Sequence, residues 1–555
     1  MEHYAKFLQE SIRRNWLSPA LSDYQGETLT YHSVAVEIEK LHLLFEACNM
    51  VAGDKMVLCA RNSVRWATTF LSIATYRAVA VPLLNEFLPA DVVKLTAHSD
   101  SKILFVDDSV WSALCSEGLE RELVSNSTLQ LIVNITDYKV LYAASPAFEK
   151  AVVERDELFL RRHPDGFSPS SVTYTAGEWD DVVIISYTSG TTSAPKGVML
   201  TARSLSSNIT YSIARMPNQP GWTVLSMLPM AHLYGLVCDF LYPLSTGCHI
   251  YFLGKTPTPT VLIKAFAEVK PYMILMVPLV IEKIFRSKIF PTIEKPFMRF
   301  LMSLPGIRQL LLYSIKRKLL TLFGGHLYDG LVLGGAAINE KVERLLHEMH
   351  LPYTVGYGMT ECGPLICYEH FDKYKMRSCG RAVWNLELKV NSANPESLPG
   401  EIWVKGANVM KGYYKNEEAT REVLTADGWL KTGDMGIVDH KGHVFIKGRC
   451  KNMLLGPNGQ NIYPEEIEDK VNVSPYVAES LVVKRNGALT ALIVPDVDAL
   501  KEVPAQEVNG IFEDLMRNVN LRLPAYCRLS RLILREEPFE KTPKRSIKRF
   551  LYNEE

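Results

Sequence analysis

Short apolar runs alternate with helical patterns along the first two thirds of the chain. Residues 55–59, 79–84, 102–106 and 129–135 read as strands. Between them, 33–46 carries Val34, Val36, Ile38, Leu41 and Leu44 at helical spacing, and 64–78 reads as a helix. The theme continues with strands at 222–228, 249–253, 272–277, 331–333 and 353–355. A helix is expected over 340–349, because the Asn339 side chain can accept from its first free N–H groups. Strands alternating with helices imply a mostly parallel sheet covered on both faces, the doubly wound α/β class. Over 363–448 the pattern changes to short alternating strands with turn signals, which reads as a small β-subdomain. A chain of 555 residues exceeds one compact core. The expected organisation is a large N-terminal domain, 1–448, made of α/β subdomains at 1–180 and 181–362 plus the β-subdomain. A short joint at 449–451 and a smaller α+β domain at 452–555 complete it.

Charge is balanced, 61 basic against 61 acidic residues, so nothing global points to nucleic acid. Ten cysteines include no C-x-x-C pair, and Cys362 and Cys367 lack a flanking histidine pattern for zinc. Reduced thiols in a cytoplasmic protein are the expectation. The first residues lack a basic region followed by an apolar one, so no secretory signal is expected. Residues 286–323 stand apart. Eight basic residues there face a single acid, Glu294, and are interleaved with Phe297, Phe300 and leucine runs. The plainer reading is a solvated basic face packed on the core. The alternative is peripheral contact with the inner face of a membrane.

The chemistry concentrates at 187–201, Tyr-Thr-Ser-Gly-Thr-Thr-Ser-Ala-Pro-Lys-Gly-Val-Met-Leu-Thr. Small residues let backbone N–H groups face an anion, hydroxyls add donors, and Lys196 adds charge. Thr188, Ser189, Gly190, Thr191, Thr192 and Lys196 therefore read as a phosphate cradle. It is not a Walker loop, because Pro195 precedes the lysine and Gly197 follows it. Three further motifs end predicted strands: Pro229-Met-Ala-His-Leu-Tyr-Gly235, Gly334-Gly335-Ala336-Ala337, and Gly356-Tyr357-Gly358-Met359-Thr360-Glu361. Ligands settle at the carboxyl ends of strands in open α/β sheets. Tyr357 offers a flat face to a purine, and Glu361 is a carboxylate suited to a hard cation beside phosphates.

The 187–201 stretch resembles the signature of the adenylate-forming superfamily, which comprises acyl-CoA synthetases, luciferases and peptide-synthetase adenylation domains. The later motifs follow in that family's order. The resemblance implies an ATP site formed by the cradle residues, Gly335–Ala337 and Tyr357–Glu361, with Mg²⁺ held by Thr192 and Glu361. It implies that His232 lies beside the acyl carboxylate, and that Asp434 and Arg449 hold the ribose. Lys451 falls at the family's hinge, about which a mobile C-terminal domain rotates between adenylation and transfer to a thiol. The wording of 451–464 is similar to bacterial long-chain fatty acid–CoA ligases, which implies a fatty acid and coenzyme A as further substrates. One departure stands out. Where the family presents a catalytic lysine near the C-terminus, this chain has Ser546, with Lys544 and Arg545 just before it. A serine cannot supply positive charge to the adenylation step; Lys544 or Arg545 is the substitute the sequence offers. Two rival readings follow: transfer to an acyl-carrier protein instead of coenzyme A, and a non-catalytic nucleotide- or lipid-binding homologue.

Overall fold

The computed structural model describes residues 1–188, 195–216, 218–327, 330–456, 460–485, 487–501, 503–542 and 547–552. Two large sheets form its body. In the first, the strands run Gly412–Tyr413, Lys196–Thr201, Val182–Thr188, Val79–Leu83, Lys55–Cys59, Ser101–Val106, Leu131–Asn134 and Val140–Ala143. The strands from Val182–Thr188 to Leu131–Asn134 are parallel, and both edges turn antiparallel. In the second, the order is Tyr353–Val355, Gly330–Leu333, Met273–Met276, Thr223–Ser226, His249–Phe252, Pro19–Asp23 and Thr28–Thr30. It is parallel except for its last pair.

The sheets do not divide at residue 180. Pro19–Asp23 pairs with His249–Phe252, while Val182–Thr188 and Lys196–Thr201 belong to the sheet built mainly from earlier residues. The 1–180 and 181–362 subdomains are thus interleaved rather than consecutive. The reason is burial: a strand as short as Pro19–Asp23, with Ala20 and Leu21 fully buried, needs a partner edge wherever one is free.

The strand Lys55–Cys59 explains how one sheet serves two cores. Successive side chains point to opposite faces. Met56 and Leu58 join the core shared with the second sheet, while Val57 and Cys59 join a separate cluster with Val79, Val81 and Leu104. Helices cover both faces, and their starts obey sequence signals. Thr30 caps Tyr31–Ala47, Ser63 caps Val64–Thr75, and Asn339 accepts from Lys341 and Val342 at the head of Glu340–Glu348.

Beyond the body, Leu386–Asn391, Gly400–Gly406, Leu430–Val438 and Val444–Arg449 make a four-stranded antiparallel sheet. The last hundred residues carry their own core. The hairpin Val477–Arg485/Ala488–Pro495, joined by Arg531–Leu534, packs on Pro464–Val471 and Ala505–Asn520 through Ile467, Val482, Ile493 and Phe512. All ten cysteines are free thiols. Among the described residues no helix is long and apolar enough to cross a membrane.

Candidate active site

Three motif loops leave the carboxyl ends of parallel strands in the seven-stranded sheet. They follow Thr223–Ser226, Gly330–Leu333 and Tyr353–Val355. The fourth motif comes from the other sheet. Thr188 ends one strand and Lys196 opens the next, directly opposite in the antiparallel register. Ser189, Gly190, Thr191 and Thr192 lie between them, outside the described residues, as do Lys544 and Ser546 near the C-terminus.

Three clusters bring predicted residues together. In the first, Tyr357 donates its hydroxyl to Asp434 Oδ2 at 2.6 Å, and Arg449 Nε meets Asp434 Oδ1 at 2.8 Å. Asp434 is 3% exposed. Burial pushes its carboxyl above the ordinary value, and Arg449 opposes that push. Each carboxylate oxygen has two lone pairs, so Asp434 can accept further hydroxyls without losing either partner. Across the strands Leu430–Val438 and Val444–Arg449, Asp434 and Arg449 are register partners, which fixes the pair through backbone geometry.

The second cluster contains Lys196, Glu361 and a residue the sequence reading missed. Tyr413 donates its hydroxyl to Glu361 Oε1 at 2.9 Å, and Lys196 Nζ stands 5.0 Å from the centre of the Tyr413 ring. The Tyr413 backbone N–H is held by Thr420 Oγ1 at 2.9 Å. Burial, then Glu361, raises the Tyr413 hydroxyl pKa, so it remains a donor. Nothing in the sequence marks out the segment Gly412-Tyr413-Tyr414. Only its pairing with Val198 and Met199 brings it to the signature hairpin.

The third cluster ties the His232 loop to the 334–337 loop. His232 N–H donates to the Pro229 carbonyl at 3.0 Å, closing a turn, and Leu236 N–H donates to the His232 carbonyl at 2.8 Å. The chain then enters a π-helix, Tyr234–Leu241. Gly235 permits the tight entry: a Cβ there would sit 2.5 Å from the Pro229 oxygen. Tyr234 donates to the Val332 carbonyl at 3.0 Å, one residue before the strand ends. Asn62 grips the start of the same loop, donating to the Leu228 carbonyl at 2.6 Å and accepting the Met230 N–H at 2.9 Å. Gly335, Ala336 and Ala337 are exposed beyond that strand.

Met359, Thr360 and Gly358 shape the approach to Glu361. Met359 N–H donates to the Pro364 carbonyl, and a Cβ at Gly358 would collide with that same carbonyl. Lys451 is exposed on the short turn Cys450–Asn452 that follows Arg449.

A family model described as AMP-binding enzyme matches residues 8–414, and one described as AMP-binding enzyme C-terminal domain matches 452–555. This chain belongs to the AMP-binding enzyme family. Its relatives include 4-coumarate-CoA ligase 1 of Narcissus pseudonarcissus, 28% identical over 84% of this chain and 78% of that one. Another is the chloroplastic long-chain-fatty-acid–[acyl-carrier-protein] ligase AEE15 of Arabidopsis thaliana, 24% identical over 92% of this chain and 78% of the relative. In fold, this AMP-binding enzyme is similar to ATP-bound MatB from Rhodopseudomonas palustris, with TM-score 0.76, 20% identity and 98% of each chain covered.

Proposed function

We propose that this AMP-binding enzyme is an ATP-dependent acid–thiol ligase that activates a fatty acid, of long chain, as its adenylate and transfers the acyl group to coenzyme A. The observation that carries the reading is the Tyr357–Asp434–Arg449 cluster, built on the buried Asp434 carboxylate, beside the Lys196–Tyr413–Glu361 cluster, in a chain of this family. Asp434 accepts the two ribose hydroxyls, with Arg449 at the same sugar. Tyr357, its ring orientation fixed by the bond to Asp434, stacks on the adenine, an interaction of about 1–3 kcal/mol, while Gly335, Ala336 and Ala337 line the base. Lys196, Thr188 and the residues 189–192 cradle the phosphates.

Mg²⁺ fits the donor set, because the cation takes one or two carboxylates plus phosphate oxygens and Glu361 is such a carboxylate. Glu361 would hold it together with Thr192. When bound, the ion neutralises phosphate charge. Tyr413 orients Glu361 and sits under Lys196, so one side chain sets the spacing of both charges. His232, on its braced turn, lies toward the acid. The acid's carboxylate oxygen attacks the α-phosphorus and pyrophosphate leaves; the thiol then displaces AMP from the acyl carbon. Residues 452–555 turn about Lys451 between the two steps, with 449–451 as the joint between 1–448 and that unit.

The fatty-acid reading draws on the wording of 451–464 and on the long-chain name of one relative. A panel of fatty and aromatic acids with ATP, Mg²⁺ and coenzyme A, followed by AMP release, tests it. Faster turnover of coumarate-like acids than of any fatty acid sinks the substrate class. Failure of every acid in pyrophosphate exchange sinks the enzyme and favours a nucleotide-binding homologue. The same exchange assay on Lys544→Ala, Arg545→Ala and Ser546→Lys tests whether charge near the C-terminus serves adenylation. A second acceptor, acyl-carrier protein, is supported by the name of the Arabidopsis relative; rates with coenzyme A against carrier protein separate the two.

A further inference from the structure

Residues 285–322 fold as a run of helices on the outside of the body, ending in Pro296–Ser303 and Pro305–Leu322. Their inward side is ordinary: Met302, Leu312 and Leu319 are buried in the main core. Their outward side is not. Phe297 is 69% exposed, Phe300 62%, Leu310 71% and Tyr313 60%, with Leu304 and Ile307 also open to solvent. Large apolar side chains scattered singly need no explanation, but a run of them across adjoining helices does.

Cations frame the same surface. Glu294, the sole acid of this stretch, is paired with Lys341. Arg286 and Arg308 are engaged by Asp496 and Glu348. Among the described residues, no acidic side chain pairs with Lys288, Lys295, Arg299, Arg317 or Lys318. All five are exposed. Leu310 and Arg317, seven residues apart, lie on one line of the last helix. Beside that line, between Pro259–Val269 and Pro305–Leu322, an open groove of about 780 Å³ is lined by Ile263, Ala267, Tyr313 and Leu322, with Arg317 and Lys318 among its walls.

We propose that the outer face of 295–318 is a docking surface for an anionic lipid bilayer, with Phe297, Phe300 and Leu310 entering the headgroup–acyl boundary and Arg299, Arg317 and Lys318 meeting lipid phosphates. An apolar stripe flanked by unpaired cations is the pattern that binds such an interface. Other occupants fit worse. An acidic carrier protein satisfies the cations and leaves the phenylalanines in water. A second copy of this chain, docked by the same face, sets like charges against each other.

The test uses the full chain with vesicles of phosphatidylcholine alone or mixed with phosphatidylglycerol. Co-sedimentation is expected with the mixed vesicles at low salt, declining as salt rises. The triple change Phe297→Ser, Phe300→Ser, Leu310→Ser and the double change Arg317→Glu, Lys318→Glu should each lower the bound fraction about tenfold at unchanged melting temperature. Should either variant fail to fold, Phe300→Trp provides a second reading: its added fluorescence should shift to the blue with mixed vesicles. Binding unchanged in both variants, or no spectral shift, overturns the proposal. So does capture by an acidic carrier protein, or dimer formation, that the same variants abolish while vesicle binding stays intact. The assay needs neither ATP nor turnover, so its failure leaves the ligase reading standing.

Discussion

Between the two large sheets, Trp66 stacks on Phe70, Phe70 meets Phe240 edge-on, and Phe240 meets Phe252 the same way, all four fully buried. Between that body and residues 454–552 the join is polar. Arg377 reaches Asp469 at 2.6 Å, Arg286 donates to the Val477 carbonyl at 3.1 Å, Asn339 to the Asn472 carbonyl at 3.1 Å, and Lys447 meets Glu466 at 2.8 Å. The buried clusters themselves do not cross this join: one core spans both sheets, and the C-terminal cores contain only residues 462–539. Separating the sheets would expose large aromatic area at about 25 cal/mol per Å². Separating the small unit exchanges ion pairs for water, at little net cost. The first join is therefore a fixture and the second is one that can be remade, which suits a unit proposed to take two orientations.

The largest effect should come from the apolar join. Phe240→Ala is expected to cost about 3–5 kcal/mol, read by chemical denaturation, with both sheets melting together. Equal loss from a change at the polar join would erase the contrast.

Next comes a carboxylate inside the apolar join. Asp239 lies in the π-helix, is 0% exposed, and accepts the Met227 N–H at 3.2 Å. Burial pushes its carboxyl up to about 7 from 3.8. The folded chain thus binds the proton more tightly than the unfolded one. The stability it contributes is fully present below about pH 4 and is lost as pH rises through 7. Asp239→Asn should remove that slope, gaining on the unaltered chain by a few kcal/mol across the window. Parallel stability–pH curves would sink the argument.

At the cluster proposed to hold the nucleotide, Asp434→Ala strips Tyr357 and Arg449 of their shared acceptor. Hydrogen bonds to charged groups are worth about 1.5–3 kcal/mol, so AMP affinity by calorimetry should fall roughly tenfold to a hundredfold. Unchanged affinity would remove Asp434 from the ribose. The smallest effect belongs to the polar join. Asp469→Ala leaves Arg377 its other partner, Glu343, and should change global stability by only about 1 kcal/mol. Limited proteolysis at 450–453 should nevertheless quicken severalfold.

Local signals were legible wherever one neighbour decides the outcome. Lys55–Cys59 and Tyr353–Val355 form the strands their apolar runs predict. Asn339 caps as expected, but it also bonds Asn472 across the polar join, which no local pattern announces. Tyr413 and Asn62 were illegible for the same reason: each acts on a loop far away in sequence, and nothing in their own neighbourhoods marks them.

The outward face of 295–318 lies between these cases. Its composition was plain in the sequence, and a solvated basic face packed on the core was the plainer reading. The inner half of that reading matches the burial of Leu312 and Leu319, while the exposure of Phe297, Phe300 and Leu310 could be known only after packing chose which side turned inward.

By itself, the sequence determined the α/β class, many of its strands and the Asn339 cap, because periodicity and capping are settled within a few residues of chain. Tertiary structure decided the interleaving of the two sheets, the meeting of Lys196 with Glu361 through Tyr413, and the polar character of the C-terminal join. Those depend on which distant surfaces bury one another, and burial is a property of the whole folded chain.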